Sequence, residues 1–274
     1  MQKIEFTKMH GLGNDFVIID RRLEEIEIND NLIQKLSDRR TGAGCDQLIT
    51  INNPLSSSAD VSIDIFNPAG DKAEACGNGT RCVAKILFDE NNKKETLKIL
   101  SDAGTLIAKK TGDEISVNMG KMTTDWKEIP LSEEMDSLNV PIEVKGFDKG
   151  VAVNIGNPHV VFFGKSIENI NLNKVGPKIE KHNFFPNKTN VEFIEILNSN
   201  TIKMKVWERG AGATLACGSG ACAAVVIGQT QKKLAKQVTV ELPGGKLRIY
   251  WKGPGNPVKM TGPAVHVFDG QINL

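Results

Sequence analysis

Apolar residues follow two different periodicities along the chain. Strict alternation with polar residues, typical of half-buried strands, occupies 61–66 and 202–207. Helical spacing predicts a helix over 29–39, and 166–181 is its weaker counterpart. Shorter apolar runs predict further strands at 16–19, 96–100, 105–109, 114–118, 160–163, 237–241, 246–251 and 258–261. This mixture predicts an α+β protein.

Two further segments, 82–88 and 221–227, are apolar on nearly every side of a helix. Such helices are normally buried on all faces, so we expect each to lie deep inside a curled sheet. Each is preceded by a cysteine and a Gly-x-Gly, beginning at Cys76 and at Cys217. The two motifs lie 141 positions apart (217 − 76).

Three other pairs of segments repeat at nearly the same distance and in the same order, which indicates an internal duplication. They are 13–19 with 156–162, 46–51 with 189–194, and 61–67 with 202–208. We predict two similar domains, an N-terminal lobe of 1–119 plus 264–274 and a C-terminal lobe of 120–263. Each is expected to be a curled, mostly antiparallel sheet around a central buried helix, with the active site in the cleft between the domains. The strand-like tail 264–268 is expected to return to the first lobe.

The composition narrows the class of protein. The chain has 274 residues, 40% of them hydrophobic and 24% charged, with a net charge of +1, as in ordinary globular proteins. No basic run is interleaved with aromatic residues, so we expect no nucleic-acid partner. No apolar stretch reaches the ~18 residues that cross a bilayer. Residues 1–6 read as a strand rather than a signal peptide, so we expect a cytoplasmic protein with reduced cysteines.

The cysteines allow several interpretations. A thiol at a helix start lies near unpaired backbone amides and the positive end of the helix dipole, which favours the thiolate, whereas a buried structural thiol is the alternative. Metal binding is disfavoured, because Cys76 and Cys82 lie about 240° apart around a helix, and Cys217 and Cys222 about 140°. We expect Cys82 and Cys222 to be buried, and Cys45 to be an incidental loop thiol.

Polar residues inside the repeated segments form a second set of candidates. Side-chain amides can bind ammonium and carboxylate groups, although they also stabilise turns. They are Asn14, Gln47, Asn67, Asn157 and Asn190. Arg209 can bind a carboxylate, or pair with Glu208 on the surface. His159 can act as a base, polarise a thiol or serve a structural role.

Taken together, these segments resemble the diaminopimelate epimerase family over essentially the whole chain. The matching motifs are KMHGLGNDF (8–16), FN (66–67), ACGNGTRC (75–82), GNPH (156–159), NVEF (190–193), ERGAG (208–212) and LACGSGAC (215–222). The resemblance implies an isomerase that interconverts LL- and meso-diaminopimelate without cofactor or metal, in lysine and peptidoglycan precursor biosynthesis. It also implies a homodimer.

The resemblance further assigns roles to individual residues. Cys76 and Cys217 would be the two acid/base thiols, one removing the α-proton as a thiolate while the other protonates the opposite face. His159 and Glu208 would be auxiliary catalytic residues. The substrate-binding residues implied are Asn14, Gln47, Asn67, Gly77, Asn78, Asn157, Asn190, Glu208, Arg209, Gly218 and Ser219.

Two alternative functions use the same cysteines. A racemase of proline or hydroxyproline shares the two-thiol chemistry, but it would leave Asn157, Asn190 and Arg209 without an obvious role. A redox or ligand-sensing protein would instead join Cys76 and Cys217 in a reversible disulfide. Exchange of a substrate α-hydrogen with deuterated water distinguishes catalysis from sensing.

Overall fold

The computed structural model describes residues 3–54, 56–74 and 76–273. Met1 and Gln2 of the predicted first strand, Ala75 of the first cysteine motif and Leu274 of the predicted first lobe lie outside the described residues. The chain forms two compact units. Unit 1 comprises Met1–Val117 with Gly262–Leu274, and unit 2 comprises Asn118–Thr261.

Over its described residues unit 1 is a mixed sheet with two helices. Its strands are β1 (Lys3–Gly11), β2 (Asn14–Asp20), β3 (Gln47–Asn52), β4 (Val61–Phe66), β5 (Thr96–Ser101), β6 (Gly104–Thr111), β7 (Glu114–Asn118) and the last strand of the chain, β16 (Val265–Asn273). The order is β16-β1-β2-β3-β4-β5-β6-β7. The pairs β2/β3 and β4/β5 are parallel, whereas β16/β1, β1/β2, β3/β4 and β5/β6 are antiparallel. The last strand therefore pairs with the first.

The helices of unit 1 are α1 (Asp30–Ser37) and α2 (Gly77–Glu90). Asn29 begins α1, because its side chain accepts a hydrogen bond from the Leu32 amide at 3.0 Å. Helix α2 contacts β1 and β2 and also β5 and β6, which lie far apart in the strand order. The sheet must therefore curl around this helix, which confirms the predicted architecture.

Unit 2 repeats the design. Its strands are β8 (Val151–Asn154), β9 (Pro158–Gly164), β10 (Asn190–Asn198), β11 (Thr201–Glu208), β12 (Gly212–Thr214), β13 (Gln237–Leu242), β14 (Gly245–Trp251) and β15 (Val258–Gly262). The order is β15-β14-β13-β11-β10-β9-β8, with β12 paired to β11. Helix α3 spans Leu172–Glu180 and α4 spans Gly218–Thr230, with a short 3₁₀ turn at Ser137–Asn139. Helix α4 packs on β8, β9, β10 and β14.

The strand register shows that the duplication is structural. In unit 1 the parallel pair β2/β3 places Phe16 opposite Gln47, and in unit 2 the parallel pair β9/β10 places His159 opposite Asn190. Both members of the second pair lie 143 positions after those of the first (159 − 16 and 190 − 47). The matched segments therefore occupy equivalent places in the two units.

Two expectations need correction. Helix α3 begins at Leu172 rather than near 166, because the side chain of Asn171 caps it by accepting from the Lys174 amide at 3.1 Å. Cys45 is not an incidental loop thiol. It lies in a loop, but it is 2% exposed, packs in the core of unit 1 and donates to Ser37 Oγ at 3.4 Å.

All five cysteines are thiols. Cys82 and Cys222 are fully buried, as expected. Within the part of the chain that the structure describes, no helix combines the length and the apolar character needed to cross a membrane.

Candidate active site

The first cysteine motif forms the N-terminus of α2. Cys76 is the N-cap residue in an extended conformation, and its Sγ accepts a hydrogen bond from the Gly79 amide at 3.4 Å. A Cβ at position 79 would lie 2.4 Å from Ile49 Cδ1, so any larger residue would displace that side chain. The sulfur is therefore held at the positive end of the helix dipole.

Asn14 connects this thiol to its surroundings. Its Oδ1 accepts from Asn78 Nδ2 at 3.1 Å and from the Cys76 thiol at 3.9 Å. Its Nδ2 donates to Asp46 Oδ2 at 3.0 Å. The structure thus brings three predicted residues together and fixes the orientation of the Asn14 amide.

Sequence reasoning missed the charged network behind Asn14. Asp15 Oδ2 pairs with Lys8 Nζ at 2.6 Å, and Arg39 bridges Asp15 Oδ1 and Asp46 Oδ1 at 2.7 Å each. Burial alone would raise the pKa of Asp15, but the hydrogen bonds from Arg39 and Lys8 outweigh it and lower the pKa to about 2. The signals in the sequence were the position of Lys8 and Asp15 within the matched segment 8–16 and of Asp46 at the start of the repeated segment 46–51.

A second chain of amides lies in unit 1. Gln47 Nε2 donates to Asn67 Oδ1 at 3.0 Å, and Asn67 Nδ2 donates to Asp71 Oδ2 at 2.6 Å. Gln47 and Asn67, predicted separately, therefore act as one hydrogen-bonded group, with Asp71 as an anchor that the sequence did not indicate.

The second cysteine motif repeats the arrangement of the first. Cys217 is the N-cap residue of α4, and its Sγ accepts from the Gly220 amide at 3.4 Å, with Ser219 Oγ at 3.5 Å. The Glu208 carboxyl is hydrogen-bonded to the Cys217 thiol and accepts from Thr214 Oγ1. Glu208 is therefore a partner of the thiol, and Thr214 is a contact that sequence reasoning missed.

The electrostatics of this second thiol differ from the expectation. Burial raises the pKa of the Cys217 thiol well above its ordinary value, and the negative charges of Glu208 and Glu192 raise it further. The Gly220 amide and Ser219 hydroxyl act in the opposite direction but are outweighed. Burial also raises the pKa of Glu208 to about 7, against the hydrogen bonds from Thr214 and Cys217. A helix start alone therefore does not make Cys217 a thiolate.

His159 belongs to a buried polar chain. It is fully buried, with Nδ1 2.7 Å from Glu192 Oε1 and Nε2 2.7 Å from Asn157 Oδ1. Glu192 is also fully buried, and sequence reasoning missed it. The available signal was an acidic residue between Val191 and Phe193, inside an otherwise apolar strand.

Arg209 lies in a loop fixed from two sides. Its backbone N–H donates to Asn190 Oδ1 at 2.9 Å, and Asn190 Nδ2 donates to the Pro158 carbonyl at 2.9 Å. The buried Glu180 accepts from Gly210 N at 3.0 Å and from Trp207 Nε1 at 2.8 Å. The Asn190 side chain therefore holds the backbone at Arg209 in position.

A solved structure shows the class of fold. The structure of a hydroxyproline epimerase from Agrobacterium vitis matches with a TM-score of 0.73 at 13% identity, over 98% of this chain and 92% of that chain. The chain is thus a two-unit α+β protein with the fold of that epimerase.

Closer matches define the family. The chain belongs to the diaminopimelate epimerase family, whose model matches residues 6–124 and 151–267. It is 44% identical over 268 residues to the diaminopimelate epimerase of Sphingopyxis alaskensis, covering 98% of this chain and 97% of that protein. It is 42% identical over 274 residues to that of Stutzerimonas stutzeri, covering 99% of each.

Proposed function

We propose that this protein is a cofactor-independent isomerase that interconverts LL- and meso-2,6-diaminopimelate in lysine and peptidoglycan precursor biosynthesis. Family membership and the two relatives above support the substrate. The observation that carries the chemistry is the pair of cysteine N-caps, Cys76 and Cys217, each held by a backbone amide of its own helix. Proton removal and return on opposite faces of one carbon require two such groups.

In the proposed mechanism one thiolate takes the α-proton, the electron pair stays on the α-carbon, and the other thiol donates its proton to the opposite face. Cys76 and Cys217 exchange roles in the reverse direction. The α-proton is far less acidic than a thiol, so binding must exclude water and position both sulfurs close to the carbon. We propose the domain bounds 1–119 plus 264–274 and 120–263, with one of the two thiols in each domain.

The remaining site residues divide by chemistry. The backbone amides at the two helix starts suit the α-carboxylate, whose charge grows as the carbanion forms. They belong to Gly77, Asn78, Gly218 and Ser219. The distal amino-acid end is assigned to the amides and the guanidinium, namely Asn14, Gln47, Asn67, Asn157, Asn190 and Arg209. Glu208, with a pKa raised to about 7, can hold or release a proton beside Cys217 near neutral pH, and His159 is the second auxiliary residue.

We assign the protein to the cytoplasm as a homodimer. Strand β16 lies at one end of the strand order of unit 1 and exposes Val265, Val267 and Phe268. An exposed edge strand with apolar side chains favours association with another surface. Sedimentation equilibrium tests this, and a monomer at micromolar concentration would contradict it.

The decisive experiment is α-hydrogen exchange of diaminopimelate in deuterated water, followed by NMR. Cys76→Ala and Cys217→Ala should each abolish conversion of the LL to the meso isomer. Cys82→Ala is the matched control, because burial raises the pKa of this thiol in α2 to about 12, and it should retain turnover. Turnover in either of the first two variants would overturn the two-base assignment. Faster turnover of proline would favour the racemase, and binding without exchange would favour a sensor.

A further inference from the structure

The first turn of α4 contacts a buried acid that its counterpart in unit 1 lacks. A Cβ built at Gly220 would lie 2.7 Å from Glu192 Oε1. A Cβ at Gly79, the equivalent glycine of α2, would lie 2.4 Å from Ile49 Cδ1. Glu192 and Ile49 are themselves equivalent, because they lie 143 positions apart (192 − 49). The same packing place therefore holds an acid in unit 2 and a hydrocarbon in unit 1.

The residue on the adjacent strand differs between the two units in the same way. His159 and Phe16 are equivalent by strand register, and Phe16 Cε1 lies 3.4 Å from the Cβ position at Gly79. Unit 1 thus supports its cysteine-capped helix with a Phe–Ile pair, and unit 2 uses a His–Glu pair. Buried polar pairs seldom stabilise more than apolar residues of similar volume. An apolar pair packs under the equivalent helix in unit 1. Packing alone therefore does not explain the polar pair in unit 2.

The hydrogen-bond geometry determines where the protons lie. Asn157 Oδ1 is an acceptor 2.7 Å from His159 Nε2, so this nitrogen carries a hydrogen. One more proton lies between His159 Nδ1 and Glu192 Oε1, which are also 2.7 Å apart. Whether the proton rests on nitrogen or oxygen, the pair has no net charge. Among the described residues Glu192 Oε2 has no hydrogen-bond partner, so the imidazole is the group that neutralises this carboxyl.

Two other titratable groups face this pair, Glu208 from β11 and Cys217 at the start of α4. A charge on Glu192 would raise the pKa of both groups, and at Glu208 a charge on His159 opposes it. An ionised Glu192 without its shared proton would add a second negative charge beside Glu208 and Cys217. The shared proton therefore keeps the surroundings of the thiol from accumulating charge.

We propose that Glu192 is a positioning residue that acts through His159. It fixes the imidazole so that Nε2 presents a hydrogen to Asn157, and it retains one proton at Nδ1. This inference rests on the proposed function, because that function assigns Asn157 to substrate binding and His159 to catalysis.

The test compares Glu192→Gln with Glu195→Gln. Glu195 lies three positions later on β10 and accepts from the Ile167 amide at 3.2 Å, so the control removes a carboxylate of the same strand. With only four histidines in the chain, ¹⁵N-histidine NMR resolves each ring. We expect a protonated Nε2 for His159 and a strongly hydrogen-bonded proton shared between Nδ1 and Glu192 in the wild type and in Glu195→Gln, and loss of the shared-proton signal in Glu192→Gln.

The kinetic arm measures kcat and KM against pH. In Glu192→Gln we expect kcat to fall at least about tenfold and one limb of the kcat/KM profile to move by about half a pH unit or more. We expect KM to change by less than about threefold, because ground-state binding is retained. The melting temperature should change little, since the pair is neutral and the amide of Gln, which has the shape of the carboxyl, can still hydrogen-bond to Nδ1. Glu195→Gln should show neither kinetic change.

Several outcomes would overturn the proposal. They are wild-type kcat and pH profile in Glu192→Gln, equal losses in both variants, or a parallel fall of activity and melting temperature. If Glu192→Gln does not fold, Glu192→Ile installs the equivalent residue of unit 1 and keeps His159, and wild-type activity in it would refute the role. If the wild type does not exchange the α-hydrogen, the proposed function fails. Identical His159 nitrogen shifts with and without Glu192 would then overturn the positioning role by itself.

Discussion

Replacing Glu208 by glutamine should stabilise the protein at alkaline pH. Burial raises the pKa of this carboxyl from the ordinary 4.5 to about 7, although the hydrogen bonds from Thr214 and Cys217 lower it. The native state therefore binds the proton more tightly than the unfolded state. The contribution of protonated Glu208 to the free energy of unfolding is therefore present in full below pH 4.5. It is lost as the pH rises through about 7.

The expected magnitude follows from the two pKa values. Each pH unit between 4.5 and 7 costs about 1.4 kcal/mol, so ionisation of native Glu208 lowers the free energy of unfolding by ~3 kcal/mol in total. Roughly 2 to 3 kcal/mol of this falls between pH 5 and pH 8. The neutral amide of Glu208→Gln has the shape of the carboxyl but does not titrate, so this loss is absent from the variant.

Urea unfolding of both proteins at pH 5 and pH 8 measures the effect. The wild type should lose about 2 to 3 kcal/mol more than Glu208→Gln over this interval. Groups that titrate equally in both proteins cancel in this difference, and native Asp15, with a pKa of about 2, titrates below the interval. Activity should fall about 10²- to 10⁴-fold, because the proton beside Cys217 is no longer exchangeable.

Equal losses of stability in the two proteins between pH 5 and pH 8 would refute this reasoning. They would show that Glu208 is ionised in the native state at pH 5, and that burial does not control its pKa.

Two further substitutions test the supporting contacts. Asp15→Asn removes the partner of Lys8 and should cost about 2 to 4 kcal/mol at pH 7. Because the native pKa of Asp15 is about 2, its contribution is present above 3.8 and is lost as the pH falls through 2. The gap between wild type and variant in urea unfolding should therefore shrink by about 2 kcal/mol from pH 4 to pH 2, and a constant gap would contradict the ion-pair account. Gly220→Ala places a methyl group 2.7 Å from Glu192 Oε1, so it should cost about 1 to 3 kcal/mol and weaken the Nδ1 hydrogen bond of His159. An unchanged melting curve and ¹⁵N spectrum would show that the helix start tolerates the methyl group.

Local patterns in the sequence were sufficient for much of the fold. Alternation located β4 and β11, helical spacing located α1, and the repeated cysteine motifs located the starts of α2 and α4. Each of these depends on residues within a few positions of one another, so the strand and helix periods can be read directly. The β16/β1 ladder, a long-range pairing, joins the tail to the first strand.

The network behind Asn14 could not be derived in this way. Lys8, Arg39 and Asp46 come from three different segments, and no spacing in the sequence indicates that they meet. Cys45 shows the same limitation, because its loop position is local while its burial depends on the strands packed around it.

By itself the sequence determined the duplication, the α+β architecture and the placement of one thiol at the start of each buried helix. Only the tertiary structure decided the chemistry around those thiols. The backbone amide and the helix dipole are local and identical in both motifs, and they alone would favour a thiolate at each. Burial and the neighbouring carboxyls depend on packing between distant segments, and at Cys217 they outweigh the dipole. The same duplicated motif lies on Phe16 and Ile49 in unit 1, but in unit 2 it lies on Glu192, which is hydrogen-bonded to His159.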